Sequence, residues 1–210
     1  RSRLVYGDNK VCGLTSWTAA QAARAAGAVY GGLIFEEASP RNVSRETAQN
    51  IIAHEPDLLY VAVSRRTSNF EELALDGIHA IQLHAPYQGS VETERALIEE
   101  ASKHSNHVWR AIDMTAPHAP ELVAALADVA DLLVLDTGSG GTGETFDWST
   151  VPAGIPALLA GGLNLTNLEQ ALAVGTIGLD LNSGLETPRG KDSGLIARAF
   201  STIRNYHNQY

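Results

Sequence analysis

Short apolar runs alternate along this chain with longer segments whose apolar residues recur at helical spacing. The runs at residues 58–63 and 132–135 are almost wholly apolar, which is typical of strands that are buried on both faces of a parallel sheet. The pattern predicts strands at residues 29–35, 58–63, 79–83, 108–112, 132–135, 157–160 and 177–181, after a first strand that ends at Cys12. It predicts helices at residues 18–26, 44–52, 70–75, 91–102, 120–126, 166–174 and 192–206.

This regular alternation indicates an α/β fold made of a single domain. With a short, weakly marked helix after the sixth strand, the elements form eight strand–helix units. Eight units favour closure into a compact (β/α)8 TIM barrel over an open doubly wound sheet. The length of 210 residues suits a barrel with few insertions. We expect residues 1–7 to be an N-terminal extension or connector and residues 8–210 to form the barrel.

Composition and charge narrow the classes of partner. The chain is 44% hydrophobic and 19% charged, as globular domains are, and its formal net charge of -9 argues against a nucleic-acid partner. A small anionic ligand stays compatible, because a site can concentrate a few cations locally. The single cysteine excludes an intramolecular disulfide. Neither a run of roughly 18 apolar residues nor a secretory apolar segment occurs, so we expect a cytoplasmic protein without a membrane partner.

In such a barrel, catalytic groups come from the C-terminal ends of the strands and from the loops that follow them. Cys12 ends the first strand, where a thiol is well placed to act as a nucleophile or a base. A free cysteine is nevertheless more often a small buried hydrophobe. Asp136 ends the sixth strand and is either a cap or ion-pair partner, or an acid whose pKa is raised by an apolar, closable site. Its position at the barrel mouth favours the second interpretation.

Two further polar side chains follow strands, and each has two interpretations. Arg41 is either a solvated loop charge or a group that binds a substrate carboxylate by a two-point hydrogen bond. His84 either completes the wall of the barrel mouth or takes part in the site. His104 and His107 fall at a helix end and in the next connection, on the opposite face, and are a weak candidate for a metal site. No familiar metal-ligand spacing occurs, and neither a metal nor a cofactor is expected.

Small residues follow the seventh and eighth strands, where barrels of this kind usually bind phosphate. They are Gly161, Gly162, Ser183 and Gly184. Their backbone N–H groups could approach an anion, or the glycines could simply form tight turns, and we favour phosphate binding. Another glycine-rich stretch, residues 138–143, matches the G-x-G-x-x-G spacing of dinucleotide sites, but the residues after it leave little room for the required helix. That stretch is instead predicted to be a loop that closes over the site.

Taken together, several stretches resemble one enzyme family, phosphoribosylanthranilate isomerase. They read KVCGLT at 10–15, SPR at 39–41, IQLH at 81–84, LDT at 135–137, GGTG at 140–143, TFDW at 145–148, AGGL at 160–163 and DLNSGLE at 180–186. These stretches occur in order and cover nearly the whole chain. The opening residues 4–10 also resemble the join in bifunctional proteins that fuse indole-glycerol-phosphate synthase to this isomerase. A partner of that kind, fused or associated, is therefore expected.

This resemblance implies an Amadori rearrangement of N-(5'-phosphoribosyl)anthranilate in tryptophan biosynthesis, without cofactor or metal. By position in the motifs, Cys12 would be the general base and Asp136 the general acid. Asp136 would protonate the furanose ring oxygen, and Cys12 would remove the C2' proton of the resulting Schiff base. Arg41 would hold the anthranilate carboxylate, with His84 and Asp180 as further substrate-binding residues. The small residues after strands seven and eight would hold the phosphate.

The chain departs from the family pattern at three positions. Ser64 stands in the third strand, Ala85 follows the histidine of IQLH, and Arg110 stands in the fifth strand where lysine is expected. The changes at Ser64 and Ala85 bear on the shape of the site wall rather than on the reaction. Two other functions stay open: another phosphate-binding barrel enzyme, such as a sugar-phosphate epimerase or a synthase of the same pathway, and a catalytically silent domain that packs on a partner. The shortage of lysines at strand ends disfavours the first, and the intact acid and base disfavour the second.

Overall fold

Eight parallel strands form a closed barrel at the centre of the computed structural model, which describes residues 6–138 and 143–209. The strands are β1 Lys10–Val11, β2 Tyr30–Ile34, β3 Leu59–Ser64, β4 Ile78–Leu83, β5 Val108–Asp113, β6 Leu132–Asp136, β7 Ala157–Leu159 and β8 Gly178–Leu181. Neighbours in sequence are neighbours in the barrel, and β1 closes the ring by pairing with β8. The predicted fold class is confirmed.

Six α-helices surround the barrel within the described residues. They are α1 Trp17–Ala26, α2 Arg45–His54, α3 Val91–Ser102, α4 Ala119–Leu126, α5 Leu168–Ala173 and α6 Ser193–Gln209. Serine side chains fix where three of them begin, because the hydroxyls of Ser16, Ser44 and Ser90 each accept a backbone N–H three residues further on. A small ribbon, β9 Glu186–Thr187 and β10 Gly190–Lys191, lies between β8 and α6 in sequence. No helix in the described part of the chain is long and apolar enough to cross a membrane.

Two of the eight expected helices are single 3-10 turns, at Phe70–Leu73 after β3 and at Trp148–Thr150 after β6. The helix predicted at residues 70–75 is therefore wrong in type. Its turn buries only Phe70 and Leu73, and the turn after β6 buries no residue at all. A longer helix at either place would lack the apolar face from which helices in proteins gain most of their stability.

The N-terminal boundary of the barrel stays a prediction. Only Lys10 and Val11 pair as β1, so the first strand ends one residue before the predicted end at Cys12. Residues 1–5, most of the expected connector, lie outside the described residues.

Apolar side chains fill the interior of the barrel and the space between strands and helices as separate clusters. The interior cluster includes Val61 of β3 and Val134 of β6. Cys12 belongs to the same interior cluster, whereas its neighbour Val11 packs outward, because side chains alternate between the two faces of a strand. The same alternation brings Asp136, two positions beyond Val134, to the inner face of β6. Strand geometry thus directs both expected catalytic side chains inward.

A buried ion pair joins β5 to α3. Arg110 donates from Nε and Nη2 to the Glu94 carboxylate, both at 2.8 Å, and the side chains are only 2% and 0% exposed. Arg110 also donates to the carbonyls of Leu83, Ala85 and Pro86 in the loop after β4. All five guanidinium donors are thereby used, whereas a lysine would offer three. Arginine at position 110, where the family pattern has lysine, therefore holds the loop after β4 in place through these hydrogen bonds.

Candidate active site

A cavity of about 300 Å³ opens at the C-terminal ends of the barrel strands. The predicted site residues that line it are Cys12, Arg41, His84, Asp136, Gly161, Gly162, Asp180 and Ser183. The remaining one, Gly184, lies beside the cavity, where a Cβ would collide with the carbonyl oxygen of Leu163. Its missing side chain therefore allows two loops to pack closely.

Cys12 projects into this cavity from the end of β1 and is 6% exposed. Burial raises the pKa of its thiol above the usual value; Lys10 opposes this rise, Asp180 adds to it and Lys191 opposes it. The sulfur packs against Gly32 of β2, where a Cβ would come within 2.7 Å of it. Glycine at position 32 therefore leaves room for the thiol.

Lys10 is a candidate functional residue that the sequence analysis missed. It lies two positions before Cys12 on β1, so both side chains point into the barrel. Its Nζ donates to Gln82 Oε1 at 2.6 Å and to Asp180 Oδ2 at 3.0 Å, and the residue is completely buried. Burial lowers the pKa of Lys10, but the charges of Asp180 and Cys12 outweigh it and the pKa is raised. Side chains alternate between the two faces of a strand, so the position of Lys10 two residues before Cys12 could have identified it from the sequence.

Removing the charge of Lys10 is expected to make the thiol less reactive. In Lys10→Met, the curve of alkylation rate against pH should move to higher pH, because Cys12 loses the ammonium that lowers its pKa. Asp180→Asn should move the curve to lower pH, because the Asp180 charge raises that pKa. Labelling with iodoacetamide, followed by mass spectrometry, measures Cys12 alone, since the chain has one cysteine. The exposed Lys103→Met is the control, and faster labelling in both site variants would instead indicate looser packing.

Asp136 lies at the cavity wall, at the end of β6, and is 8% exposed. Its Oδ1 accepts the backbone N–H of Thr137 at 2.7 Å. Burial and the charge of Asp180 raise the pKa of this carboxyl to about 7, although the Thr137 hydrogen bond and Lys10 oppose the shift. A carboxyl that is protonated near neutral pH can donate a proton, which agrees with the raised pKa expected from the sequence. Gly161 permits this burial, because a Cβ there would lie 2.7 Å from Oδ1.

Asp136 is expected to lower the stability of the folded chain above neutral pH. The folded state holds the carboxyl proton more tightly than the unfolded state, so its favourable contribution is complete below about pH 4 and is lost as the pH rises through about 7. Asp136→Asn should therefore be about 4 kcal/mol more stable than wild type at pH 8, and similar to it at pH 4. Urea unfolding at both pH values measures the difference, with the exposed Asp57→Asn as control. A difference that does not vary with pH would contradict this.

Two residues of the cavity wall carry buried polar atoms without a hydrogen-bond partner among the described residues. These atoms are His84 Nδ1 and Asp180 Oδ1. Burial and nearby cations lower the pKa of His84 to about 4, so its imidazole is neutral at physiological pH. Burial also raises the pKa of Asp180, although Lys10 opposes this. Since buried polar atoms are normally bonded, these two atoms are suited to a polar ligand.

Arg41 lines the cavity from the loop after β2, and one edge of its guanidinium already contacts protein. Its Nε and Nη2 donate to the two carboxylate oxygens of Glu186 at 2.8 and 2.6 Å. Lys191 donates to Glu186 Oε2 at 2.6 Å and to Asn182 Oδ1 at 3.0 Å. The two-point hydrogen bond expected for a substrate is therefore made to Glu186 in this structure. Glu186 and Lys191 were not among the candidate site residues, because pairing across the ribbon β9–β10 brings them here.

The turn after β7 requires glycine for steric reasons. Gly161 and Gly162 adopt φ angles of 90° and 68°, in the left-handed region. A Cβ on Gly162 would lie 2.6 Å from the backbone of Glu144. These two glycines therefore do form a tight turn, which is one of the two interpretations of their sequence. The N–H groups of both glycines and of Ser183 make no hydrogen bond with any described residue, which leaves them available to an anion.

Two other expectations concern features away from the cavity wall. The glycine-rich loop expected to close over the site falls mainly on residues 139–142, which lie outside the described residues. The part of the chain that the structure describes contains no group of three or more acidic, histidine or cysteine side chains that could hold a metal ion. His107 stacks on His79, with ring centroids 4.2 Å apart, at the N-terminal end of the strands.

Comparison with protein families decides to which group this barrel belongs. The family model described as N-(5'phosphoribosyl)anthranilate (PRA) isomerase matches residues 9–202. The chain belongs to the phosphoribosylanthranilate isomerase family. The resemblance seen in the sequence is thereby confirmed.

Curated relatives of this isomerase-family chain are named "Tryptophan biosynthesis protein TrpCF". The protein from Corynebacterium glutamicum is 59% identical, over 97% of this chain and 46% of its own length. The protein from Salmonella typhi is 40% identical, over 97% of this chain and 45% of its own length. The chain therefore spans about half the length of the curated relatives it matches.

Solved phosphoribosylanthranilate isomerases share the barrel. The enzyme from Thermus thermophilus has a TM-score of 0.78 and 28% identity, covering 94% of this chain and 98% of its own. Another was solved in complex with reduced 1-(o-carboxyphenylamino)-1-deoxyribulose 5-phosphate; its TM-score is 0.71 at 25% identity, covering 96% of this chain and 100% of its own. Both similarities extend over nearly the whole isomerase-family chain.

Proposed function

We propose that this barrel catalyses the Amadori rearrangement of N-(5'-phosphoribosyl)anthranilate to 1-(2-carboxyphenylamino)-1-deoxyribulose 5-phosphate. The observation that carries the proposal is that one cavity holds both the buried thiol of Cys12 and the carboxyl of Asp136, whose pKa is about 7. Membership of the isomerase family supports this choice of substrate. The names of the relatives support a role in tryptophan biosynthesis.

Asp136 acts as the general acid in the first step. Its proton passes to the furanose ring oxygen while the bond from that oxygen to C1' breaks. The lone pair of the anilino nitrogen forms the C1'=N bond of the Schiff base. The raised pKa supports this role, because it keeps a substantial fraction of the carboxyl protonated near neutral pH.

Cys12 acts as the general base in the second step. Its thiolate takes the C2' proton, the two electrons of that C–H bond form C1'=C2', and the nitrogen regains its lone pair. The enolamine then tautomerises to the ketone at C2', so the product is an isomer of the substrate. Lys10 supports this role, because its buried ammonium opposes the rise of the thiol pKa.

The remaining groups of the cavity bind the two ends and the middle of the substrate. Arg41 binds the anthranilate carboxylate, through donors that Glu186 does not use. His84 and Asp180 bind polar groups of the substrate, which their unpaired buried atoms support. The phosphate is bound by Gly161, Gly162 and Ser183 of the cavity wall and by Gly184 beside it.

The barrel is proposed to work beside an indole-glycerol-phosphate synthase, fused to it or associated with it. The relatives named TrpCF are about twice as long as this chain, which supports a fused arrangement. The resemblance of residues 4–10 to the join in such fusions supports it further. The cytoplasmic location and the absence of nucleic-acid and membrane partners stay predictions.

A direct assay tests the proposed reaction. Phosphoribosylanthranilate is supplied to the wild-type chain, and the loss of its fluorescence is followed with time. Turnover is the expected result. A folded chain that leaves the substrate unchanged would instead favour the catalytically silent domain. A chain that acts only on a phosphorylated sugar without the anthranilate group would favour the epimerase-like alternative.

A further inference from the structure

Arg41, Glu186 and Lys191 form a row of three alternating charges beside the cavity. Arg41 lines the cavity, whereas Glu186 and Lys191 do not. The side chains of Arg41 and Glu186 are each 17% exposed, and that of Lys191 is 3% exposed. Glu186 therefore binds Arg41 without itself lining the cavity.

The hydrogen bonds to Glu186 occupy the Nε/Nη2 edge of the Arg41 guanidinium and leave its Nη1/Nη2 edge available. A guanidinium has five N–H donors in a planar fork. Glu186 accepts one from Nε and one from Nη2. Both donors of Nη1 and one of Nη2 remain, and no described residue accepts a hydrogen bond from Nη1. A second carboxylate can therefore bind in a two-point manner without displacing Glu186.

Lys191 keeps Glu186 in place and keeps the row positively charged. Burial raises the pKa of Glu186, but hydrogen bonds from Arg41 and Lys191 outweigh it and the pKa falls to about 2. Glu186 is thus ionised throughout the physiological range. Burial lowers the pKa of Lys191, and its hydrogen bond to Glu186 opposes this fall. Two cations and one anion leave a net positive charge, so the row still attracts an anionic group.

Gly13, the residue after Cys12, packs against this row of charges. Gly13 has a φ of 74°, and a Cβ there would lie 2.6 Å from Arg41 Cδ and 3.2 Å from Lys191 Nζ. The row therefore packs on the residue that follows the proposed general base. Arg41 and the backbone that carries the thiol are therefore in close contact at Gly13.

We propose that Glu186, held by Lys191, is a positioning residue that fixes the Arg41 guanidinium with its Nη1 edge toward the cavity, where it binds the carboxylate of the substrate. The inference rests on the proposed function, which supplies that carboxylate. A free arginine side chain loses rotational freedom when it binds a ligand, whereas one already held at two points loses much less. Glu186 thus improves affinity without touching the substrate.

Binding of two ligands to Glu186→Gln tests the proposal. One is reduced 1-(o-carboxyphenylamino)-1-deoxyribulose 5-phosphate, and the other is the same molecule without the carboxylate. The variant leaves Arg41 and Lys191 as facing cations with one amide oxygen between them, so Arg41 should turn away from the cavity. Calorimetry should show roughly a ten-fold loss of affinity for the first ligand and little change for the second. With the true substrate, KM should rise by more than kcat falls.

Two further variants separate positioning from other effects. Glu72→Gln makes the same substitution in the Arg66–Glu72 pair, where the glutamate is exposed, and it should leave both affinities unchanged. In an Arg41→Met background, Glu186→Gln should have no further effect, because Glu186 acts through Arg41. Should Glu186→Gln not fold, Glu186→Asp keeps the charge but is one methylene shorter, and it should show the same loss for the carboxylate ligand.

Three results would overturn the proposal: equal losses for both ligands, tighter binding of the carboxylate ligand by the variant, or an undiminished effect in the Arg41→Met background. The second would indicate that Glu186 competes with the substrate. Failure of the proposed function can be told apart from failure of the positioning role of Glu186, because the first is measured on the wild-type chain and the second on the variants. A wild type that neither converts phosphoribosylanthranilate nor binds the carboxylate ligand would refute both.

Discussion

Asp136→Asn is expected to slow the isomerisation of phosphoribosylanthranilate by about 10²–10⁴-fold. Asparagine keeps the size of the side chain and an oxygen that can accept the Thr137 N–H, so the wall of the cavity is retained. It has no acidic proton to give to the ring oxygen. The loss should therefore appear mainly in kcat, since the groups proposed to bind the carboxylate and the phosphate are unchanged.

Cys12→Ser is expected to reduce the rate on the same scale, because a serine hydroxyl ionises far less readily than a thiol. Each variant removes the group for one step, so the double variant should not lose the product of the two factors. Loss of substrate fluorescence measures all of these rates. The control is Asp57→Asn, an exposed carboxylate before β3 that should keep the wild-type rate.

Undiminished turnover by both single variants would refute the assignment of acid and base while leaving the reaction itself intact. A loss in Asp136→Asn with none in Cys12→Ser would require another base. The neighbouring Asp180 would then be the first candidate, since its Oδ1 is buried without a partner among the described residues. The two assignments are therefore tested separately.

Arg110→Met is expected to cost about 3–5 kcal/mol of the free energy of unfolding, the range for breaking a buried ion pair by removing one partner. The substitution leaves Glu94 buried without its cation, with 0% exposure. It also leaves the carbonyls of Leu83, Ala85 and Pro86 without the donors that hold them. Arg110→Lys should fall between wild type and this variant, because an ammonium offers three donors.

Urea unfolding at neutral pH measures this loss. Arg95→Met, on the exposed face of α3, the helix that carries Glu94, is the matched control and should change stability by no more than about 0.5 kcal/mol. Adding Glu94→Leu to Arg110→Met should recover part of the loss, because the uncompensated charge is then removed. A loss below about 1 kcal/mol would contradict the proposed importance of the pair.

The order of strands and the residues at their ends could be predicted from the sequence, because both depend on local patterns. Apolar runs identified all eight strands, and serines marked where α1 and α2 begin. The barrel rule then brought Cys12 and Asp136 to one end of the fold. Their convergence on one cavity could therefore be predicted from the topology of the barrel.

Pairing between distant side chains could not be predicted in the same way. Arg41 and Glu186 are 145 positions apart, and Lys10 and Asp180 are 170 apart. Nothing in the local sequence of an arginine shows whether its fork meets another protein group or is left for a ligand. Neither interpretation of Arg41, a solvated loop charge or a group that binds a substrate carboxylate, therefore included its pairing with Glu186.

The sequence by itself determined the class of fold, the face that carries the chemistry and the family, because strand periodicity and strand-end residues are local properties. Only the tertiary structure decided the electrostatic state of the site. Burial raises the pKa of Asp136 to about 7, and closure of the ring by β1 and β8 places Lys10 against Asp180 beneath the thiol. Such effects depend on which charges share a small volume that excludes water, and the folding of the whole barrel is what brings those charges together.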